Sequence, residues 1–240
     1  MTHTRSRIAV LAGILVLGLG AYAIADEIEG TDEPDTINGT EQADQIKGDR
    51  GDDTLNGLGG DDTLNGNGDN DTNDGGEGND HVYGAGCDFG EEAIGRYCDN
   101  VGRDRLKGGP GDDDLRANEC SDNPDCQAAT NISLGTKMKG GPGNDSLLGA
   151  EKRDRMRGGA DDDAEHGFLG RDRLRGGPGN DSLDGGGGRD RLKGGRGNDQ
   201  IEARDGKRDR VNCGYGHDDS ASVDSKDRVR GCEDVVGAGG

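Results

Sequence analysis

Residues 176–202 read GGPGNDSLD, GGGGRDRLK and GGRGNDQIE when the chain is cut into nines. Each segment opens on Gly, has Gly again in fourth place, Asp in sixth place and an aliphatic residue in eighth: Asp181 with Leu183, Asp190 with Leu192, Asp199 with Ile201. The frame runs backward without a slip through Asp172, Asp163 and Asp154 to Asp145. Beyond an interruption it holds Asp113 and Asp104, and beyond a second it covers six nonapeptides from Gly30, with Asp80, Asp71, Asp62, Asp53, Asp44 and Asp35. Their eighth places are Val82, Leu64, Leu55, Ile46 and Ile37, with Asn73 the exception. Toward the C-terminus one extra residue near Asp205 shifts the frame, which then continues through Asp209, Asp218 and Asp227. Glu165 and Ser220 fall in the apolar place, so those coils are expected to be loose. Self-similarity at a fixed short period is the signature of a stacked repeat fold.

Composition agrees with the repeat and excludes much else. Of 240 residues 49 are Gly, 28% are hydrophobic and 2% aromatic, and the formal net charge is -21. So little apolar surface cannot offset chain entropy in a conventional enzyme core. Nor can the chain be a polytopic membrane protein, and its charge repels nucleic-acid phosphate. A disordered Gly/Asp-rich segment and a repeat fold held by something other than a core remain. The acid excess lies almost wholly before residue 102, so the N-terminal block is expected to lean more on cations and to respond more to salt.

Residues 1–25 stand apart. Arg5 and Arg7 precede an apolar run from Ile8 to Tyr22, and Ala23-Ile24-Ala25 supplies a small-x-small site before Asp26 and Glu27. This pattern is that of a cleaved secretory signal, with a retained anchor as the alternative. The six Cys form three close pairs, Cys87 with Cys98, Cys120 with Cys126 and Cys213 with Cys232, and an even count in an exported chain argues for disulfides. A metal-thiolate site is the alternative, but the spacings are irregular and no two Cys are separated by two residues. Cys213 and Cys232 are one coil plus one residue apart, which on neighbouring turns of a repeat fold suits a staple at the C-terminal end.

GGEGNDHVY (Gly75–Tyr83), GGPGNDSLL (Gly140–Leu148) and GGPGNDSLD (Gly176–Asp184) resemble the repeats-in-toxin (RTX), haemolysin-type calcium-binding nonapeptide. The resemblance implies an all-β parallel β-roll, two nonapeptides to a coil, with several Ca2+ ions between stacked turns. It also implies that the sixth-place Asp and Gly-segment carbonyls hold the ions. The candidate ligands are Asp53, Asp62, Asp71, Asp80, Asp113, Asp145, Asp163, Asp181, Asp199 and Asp218. The chemistry fits independently. Gly lets backbone approach an ion closely, calcium takes six to eight oxygens, and aspartates stacked at a strand spacing of about 4.8 Å repel without a cation. Calcium binding is therefore expected to be folding.

In the C-terminal half two nonapeptide types alternate. One is GPGND-like; the other brackets Asp with Arg, as in Arg153-Asp154-Arg155, Arg171-Asp172-Arg173 and Arg189-Asp190-Arg191. With two nonapeptides per coil the types should occupy opposite edges, and the Arg edge should either neutralise its carboxylates or carry solvated ion pairs. The first two nonapeptides have Glu33 and Gln42 in place of the fourth Gly and are expected to be a weak cap.

The expected layout is a signal peptide (1–25), acidic repeats (26–83), interrupted repeats with two disulfide loops (84–139), regular repeats (140–202) and capping repeats (203–240). Loops of about 15 and about 20 residues are expected to leave the frame around the first two Cys pairs. No hydrolase, metalloprotease or nucleotide-binding motif is present, and His81, His166 and His217 are isolated in turns, so no enzyme is expected. The reading is a secreted calcium-binding protein without nucleic-acid or stable membrane partners. The alternative is an extracellular adhesin or matrix component that binds polysaccharide or protein through the roll surface.

Overall fold

The computed structural model describes residues 27–85, 103–118 and 135–237. The signal-like segment and the pairs Cys87–Cys98 and Cys120–Cys126 lie outside the described residues.

Each strand is built around one eighth-place residue. In Thr-Leu-Asn or Arg-Leu-Arg the central side chain points inward and its neighbours outward, because side chains alternate along a strand. Successive nonapeptides alternate between two parallel sheets that face each other. One sheet is ordered β1 (Glu27–Thr31), β3 (Gln45–Asp49), β5 (Thr63–Asn65), β7 (His81–Ala85), β9 (Asp114–Asn118) and β11 (Ser146–Ala150). It continues through β12 (Ala164–Gly170), β14 (Ser182–Asp184), β17 (Gln200–Ala203), β19 (Ser220–Val223) and β21 (Asp234–Val236), with the short β15 (Gly187–Gly188) beside β12. The facing side begins with β2 (Thr36–Asn38), β4 (Thr54–Gly59), β6 (Thr72–Glu77), β8 (Arg105–Lys107) and β10 (Lys137–Lys139). It resumes with β13 (Arg173–Arg175), β16 (Arg191–Arg196), β18 (Arg210–Tyr215) and β20 (Arg228–Arg230), and the parallel bridges of Arg155 to Lys137 and Arg173 join the two parts. The result is an all-strand parallel β-solenoid of about 10 turns, with no helix among the described residues. No described helix is long and apolar enough to cross a membrane.

The core is a single file of side chains between the sheets. Ile46, Leu64, Val82, Leu115, Leu147, Leu183 and Ile201 from one side meet Leu55, Leu106, Met138, Met156, Leu174, Leu192 and Val211 from the other, all buried. Ordinary coils pair residues 18 apart, as in Ile37 with Leu55 and Leu183 with Ile201. The interruptions do not break the ladder. Coils carrying them are 33 and 32 residues long, and Val82 pairs with Leu115, which pairs with Leu147, as if nothing intervened.

Three register details differ from the sequence reading. The second insertion is shorter than expected because Gly135–Lys139 belongs to the roll: Met138 pairs with Leu106, and Thr136 stands where Asp was sought. The frame also slips twice near the C-terminus, since buried aspartates there are 19 and then 20 residues apart. The second extra residue is Asp218, which is exposed, while Asp219 is buried in the aspartate place and Ala221, not Ser220, fills the apolar place opposite Ile201. Glu165 does occupy an apolar place, buried between Leu147 and Leu183.

The Cys213–Cys232 disulfide, with 5.1 Å between Cα atoms, ties β18 to the segment after β20. It fastens the end where Val235 and Val236 are exposed and the sheet edge is open. In the single-file core Leu183→Ala should cost about 2–5 kcal/mol, because no second layer can collapse into the gap. Denaturant unfolding in excess calcium measures this, with the exposed Leu169→Ala expected to change little by comparison.

Candidate metal centre

The turns follow from where the sixth-place Asp sits. Each enters a strand with its side chain turned inward, and its Oδ1 accepts the backbone N–H of the Asp one coil earlier. On one edge this ladder runs Asp44 to Asp62 (2.8 Å), Asp62 to Asp80 (2.9 Å), Asp80 to Asp113 (2.9 Å), Asp113 to Asp145 (2.9 Å) and Asp145 to Asp163 (3.0 Å). It continues through Asp181 (3.0 Å), Asp199 (2.9 Å) and Asp219 (2.8 Å) and ends on the Glu233 carboxylate (3.0 Å). On the other edge it links Asp35, Asp53, Asp71 and Asp104, then Thr136, Asp154, Asp172, Asp190, Asp209 and Asp227.

The other carboxylate oxygen is the unusual one. Oδ2 of Asp53, Asp62, Asp71, Asp80, Asp113, Asp145, Asp163, Asp181 and Asp199 is buried and accepts no hydrogen bond. The same is true of Asp172, Asp190, Asp209 and Asp219. In each regular turn it lies where a Cβ on the first-place residue would go, as with Asp62 against Gly57 and Asp181 against Gly176, which is why that place is Gly. A buried carboxylate oxygen without a donor is costly unless the group takes a proton or a cation. Desolvation, assisted by neighbouring aspartates, accordingly raises these groups: Asp71 and Asp172 to about 8, Asp113, Asp163 and Asp209 to about 7.

The backbone supplies oxygens beside them. Ala160 and Arg196, in third place, donate their N–H to the carbonyls of Gly141 and Gly177 one coil below. Pro110, Pro142 and Pro178 occupy that place in three further coils and have no N–H to give. A carboxylate oxygen with several main-chain carbonyls is the hard, oxygen-only donor set that calcium takes. Among the described residues no three His, Cys, Asp or Glu side chains converge on one point, so carbonyls would have to furnish most of the shell.

Nine of the ten aspartates singled out by sequence lie in these rows, divided between the two edges; the tenth, Asp218, is displaced by Asp219. The two nonapeptide types do fall on opposite edges, yet the Arg edge does neither of the things expected. Asp154, Asp172, Asp190 and Asp209 are buried, whereas Arg155, Arg173, Arg191 and Arg210 are exposed, and no ion pair joins the two sets among the described residues. Arg153 and Arg171 act only at a distance, opposing the rise at Asp172 and Asp190. Asp154 is further set apart because its Oδ2 takes the Ala150 N–H at 2.8 Å.

Two features escape the sequence reading. The first two nonapeptides give Oδ2 of their aspartates donors from within the turn: Thr31 gives its N–H and hydroxyl to Asp35 Oδ2 (2.7 and 2.8 Å), and Thr40 does the same for Asp44 Oδ2 (2.6 and 2.9 Å), which leaves Asp44 Oδ1 as the buried oxygen without a donor. Thr in second place, with acceptor Asp four residues on, is the signal that would have shown it. The fifth place forms a second, exposed ladder in which Asp61, Asn79, Asp112, Asn144, Asp162, Asn180 and Asn198 each accept the next coil's N–H. Acids and amides alternate along most of it, so few carboxylates stack on one another.

The fold and its turns define a parallel β-roll with oxygen-lined, carboxylate-bearing corners. The RTX calcium-binding nonapeptide repeat model matches residues 23–55, 38–73, 100–123, 139–164 and 166–201, more than half of the chain, and the protein belongs to that family. A comparison with curated proteins finds no match.

The raised acid constants fix a pH dependence. An unfolded Asp titrates near about 3.9, so below about pH 4 both states hold the proton and the penalty is absent. Between about pH 4 and 8 the folded state holds more protons, and stability falls as pH rises. In chelator the far-ultraviolet circular dichroism of the roll should be stronger at pH 5 than at pH 8. In calcium the order should reverse, with the calcium midpoint falling as pH rises.

Proposed function

We propose that the protein is a secreted calcium-binding β-roll in which Ca2+, held between stacked Gly/Asp turns, drives folding after export. The observation that carries this reading is the row of buried, donor-less Oδ2 atoms at each edge. The ligands are Asp53, Asp62, Asp71, Asp80, Asp113, Asp145, Asp163, Asp181 and Asp199, with Asp219 in place of Asp218, each joined by Gly-segment carbonyls. When bound, the ion supplies positive charge where desolvation and like-charge repulsion otherwise favour the protonated acid. The chain's own part is to hold Oδ1 on the backbone ladder, exclude water from Oδ2 and keep first-place Gly out of the way.

An affinity near that of extracellular modules, on the order of 10⁻⁴–10⁻³ M per site, is enough. At ten times its Kd each ion contributes about 1.4 kcal/mol, so several ions together match the roughly 5–15 kcal/mol stability of an ordinary domain. The signal-like start and a disulfide, which persists in oxidising compartments, support export. The exposed, acid-free row Arg155, Arg173, Arg191 and Arg210, on the sheet facing β11–β19, favours a second reading, an extracellular matrix component, alongside the first.

Calcium titration of the full chain followed by circular dichroism should take it from largely disordered to β-rich; identical spectra in chelator and in excess calcium would overturn the proposal. Asp163→Asn removes one charge without changing shape and should raise the calcium midpoint several-fold. Asp154→Asn, where Oδ2 already has a donor, should leave calcium stoichiometry unchanged.

A further inference from the structure

The outward places of the sheet containing β10 to β20 carry a two-row lattice of cations. One row is Lys137, Arg155, Arg173, Arg191, Arg210 and Arg228, paired in register from strand to strand. The second is Lys139, Arg157, Arg175, Lys193 and Arg230, with Asn212 the sole neutral member. All are exposed, and none has an acidic partner within 4.0 Å among the described residues. Strands about 4.8 Å apart and residues about 6.7 Å apart along each strand set the lattice, so six strands span about 24 Å.

Nothing inside the roll explains this arrangement. Like charges directly opposite on neighbouring strands are destabilising, and the charge of Arg191 above all, with those of Arg155, Arg153 and Arg175, holds Arg173 below its usual pKa. The equivalent outward places of the other sheet, Ser146, Leu148, Ala164, His166, Ser182 and Asp184 onward, contain no Lys or Arg. In a chain of net charge -21, 11 of the 29 Lys and Arg thus stand together on one face. That face has a receptacle: a cavity of about 410 Å³ lined by Lys139, Arg157, Arg175, Lys193, Arg196 and Tyr215 over a floor of glycine backbone. Tyr215 is 81% exposed.

We propose that this face binds a linear acidic polysaccharide of uronic-acid type, laid along the roll axis across the strands. Guanidinium and carboxylate match in planar, bidentate geometry, and a sugar bearing one carboxylate per residue repeats at a length close to the strand spacing. The glycine floor admits a sugar ring without steric obstruction, and Tyr215 offers an apolar ring face with a hydroxyl at its tip, as carbohydrate requires. A nucleic acid fits less well, since successive bases need a series of aromatic platforms and the face has one. The inference rests on reading the roll as an extracellular matrix component and needs the folded state, which circular dichroism of each sample reports separately.

The test is titration of the full chain in calcium with a six-residue oligogalacturonate, its methyl ester, a neutral maltohexaose and an oligodeoxythymidylate. The acid should bind with a strong salt dependence, and the ester and maltohexaose should bind at least about tenfold more weakly. The exposed triple variant Arg157→Gln, Arg175→Gln, Lys193→Gln should lose about tenfold for the acid, and Tyr215→Ala about threefold. Equal binding of acid and ester, no binding of either by chain shown to be folded, or tighter binding of the oligodeoxythymidylate would each overturn the proposal. The ester comparison uses unaltered protein, so it decides the matter even where a variant fails to fold. A folded chain that ignores the acid refutes this inference alone, whereas a chain that calcium does not fold refutes the calcium reading.

Discussion

At both edges of the roll, beside the strand ladders, each coil is tied to the next by the same kind of bond: an Asp Oδ1 accepting the backbone N–H of the Asp a coil away. That bond fixes the strand spacing at both edges, orients every carboxylate inward and leaves its second oxygen in the turn. The file of aliphatic residues contributes one buried side chain per nonapeptide, roughly 1.5–3 kcal/mol, which cannot by itself order nine residues. Stability must therefore come from the corners, and the corners are where charge is buried. The molecule's dependence on cations or protons follows from the same hydrogen bond that shapes it.

The two ends relieve that dependence differently. At the N-terminal end Thr31 and Thr40 supply donors from within the turn to Oδ2 of the first two aspartates, the oxygen that lacks a donor in the coils beyond. At the other end the coil shortens to 14 residues, Glu233 takes over the Asp role with a longer side chain, and a disulfide adds a covalent tie. Between them lies the run with donor-less oxygens at both edges. Both ends of the roll thus carry ties of the chain's own making, Thr donors at one and a disulfide at the other.

Outside surfaces are freed for other work by this division. Since the carboxylates of the Arg-rich repeats are buried and reach backbone N–H groups, their flanking Arg side chains have no internal duty and project from the sheet. The fifth-place ladder shows the opposite economy, with exposed Asn and Asp joined from coil to coil. One roll thus presents a cationic face along β10 to β20 and, opposite it, a face whose outward places from Ser146 on carry no Lys or Arg, although its net charge is strongly negative.

The sequence by itself determined the period, the two-sided roll, the buried aliphatic file and nine of the ten aspartate places. All of these are local, repeated patterns of side-chain size and backbone freedom. Tertiary structure decided whatever depended on stacking. Asp218 and Asp219 are equivalent as letters, and only the coil below, which offers one N–H at one height, selects Asp219. Thr136 could not be recognised as part of the ladder, because it enters through its backbone N–H to Asp154 and not through a carboxylate. Whether Arg would meet Asp was likewise a question of which way each side chain points. The alternation of the strand sends sixth-place Asp inward and seventh-place Arg outward, so neighbours in sequence end on opposite sides of the sheet.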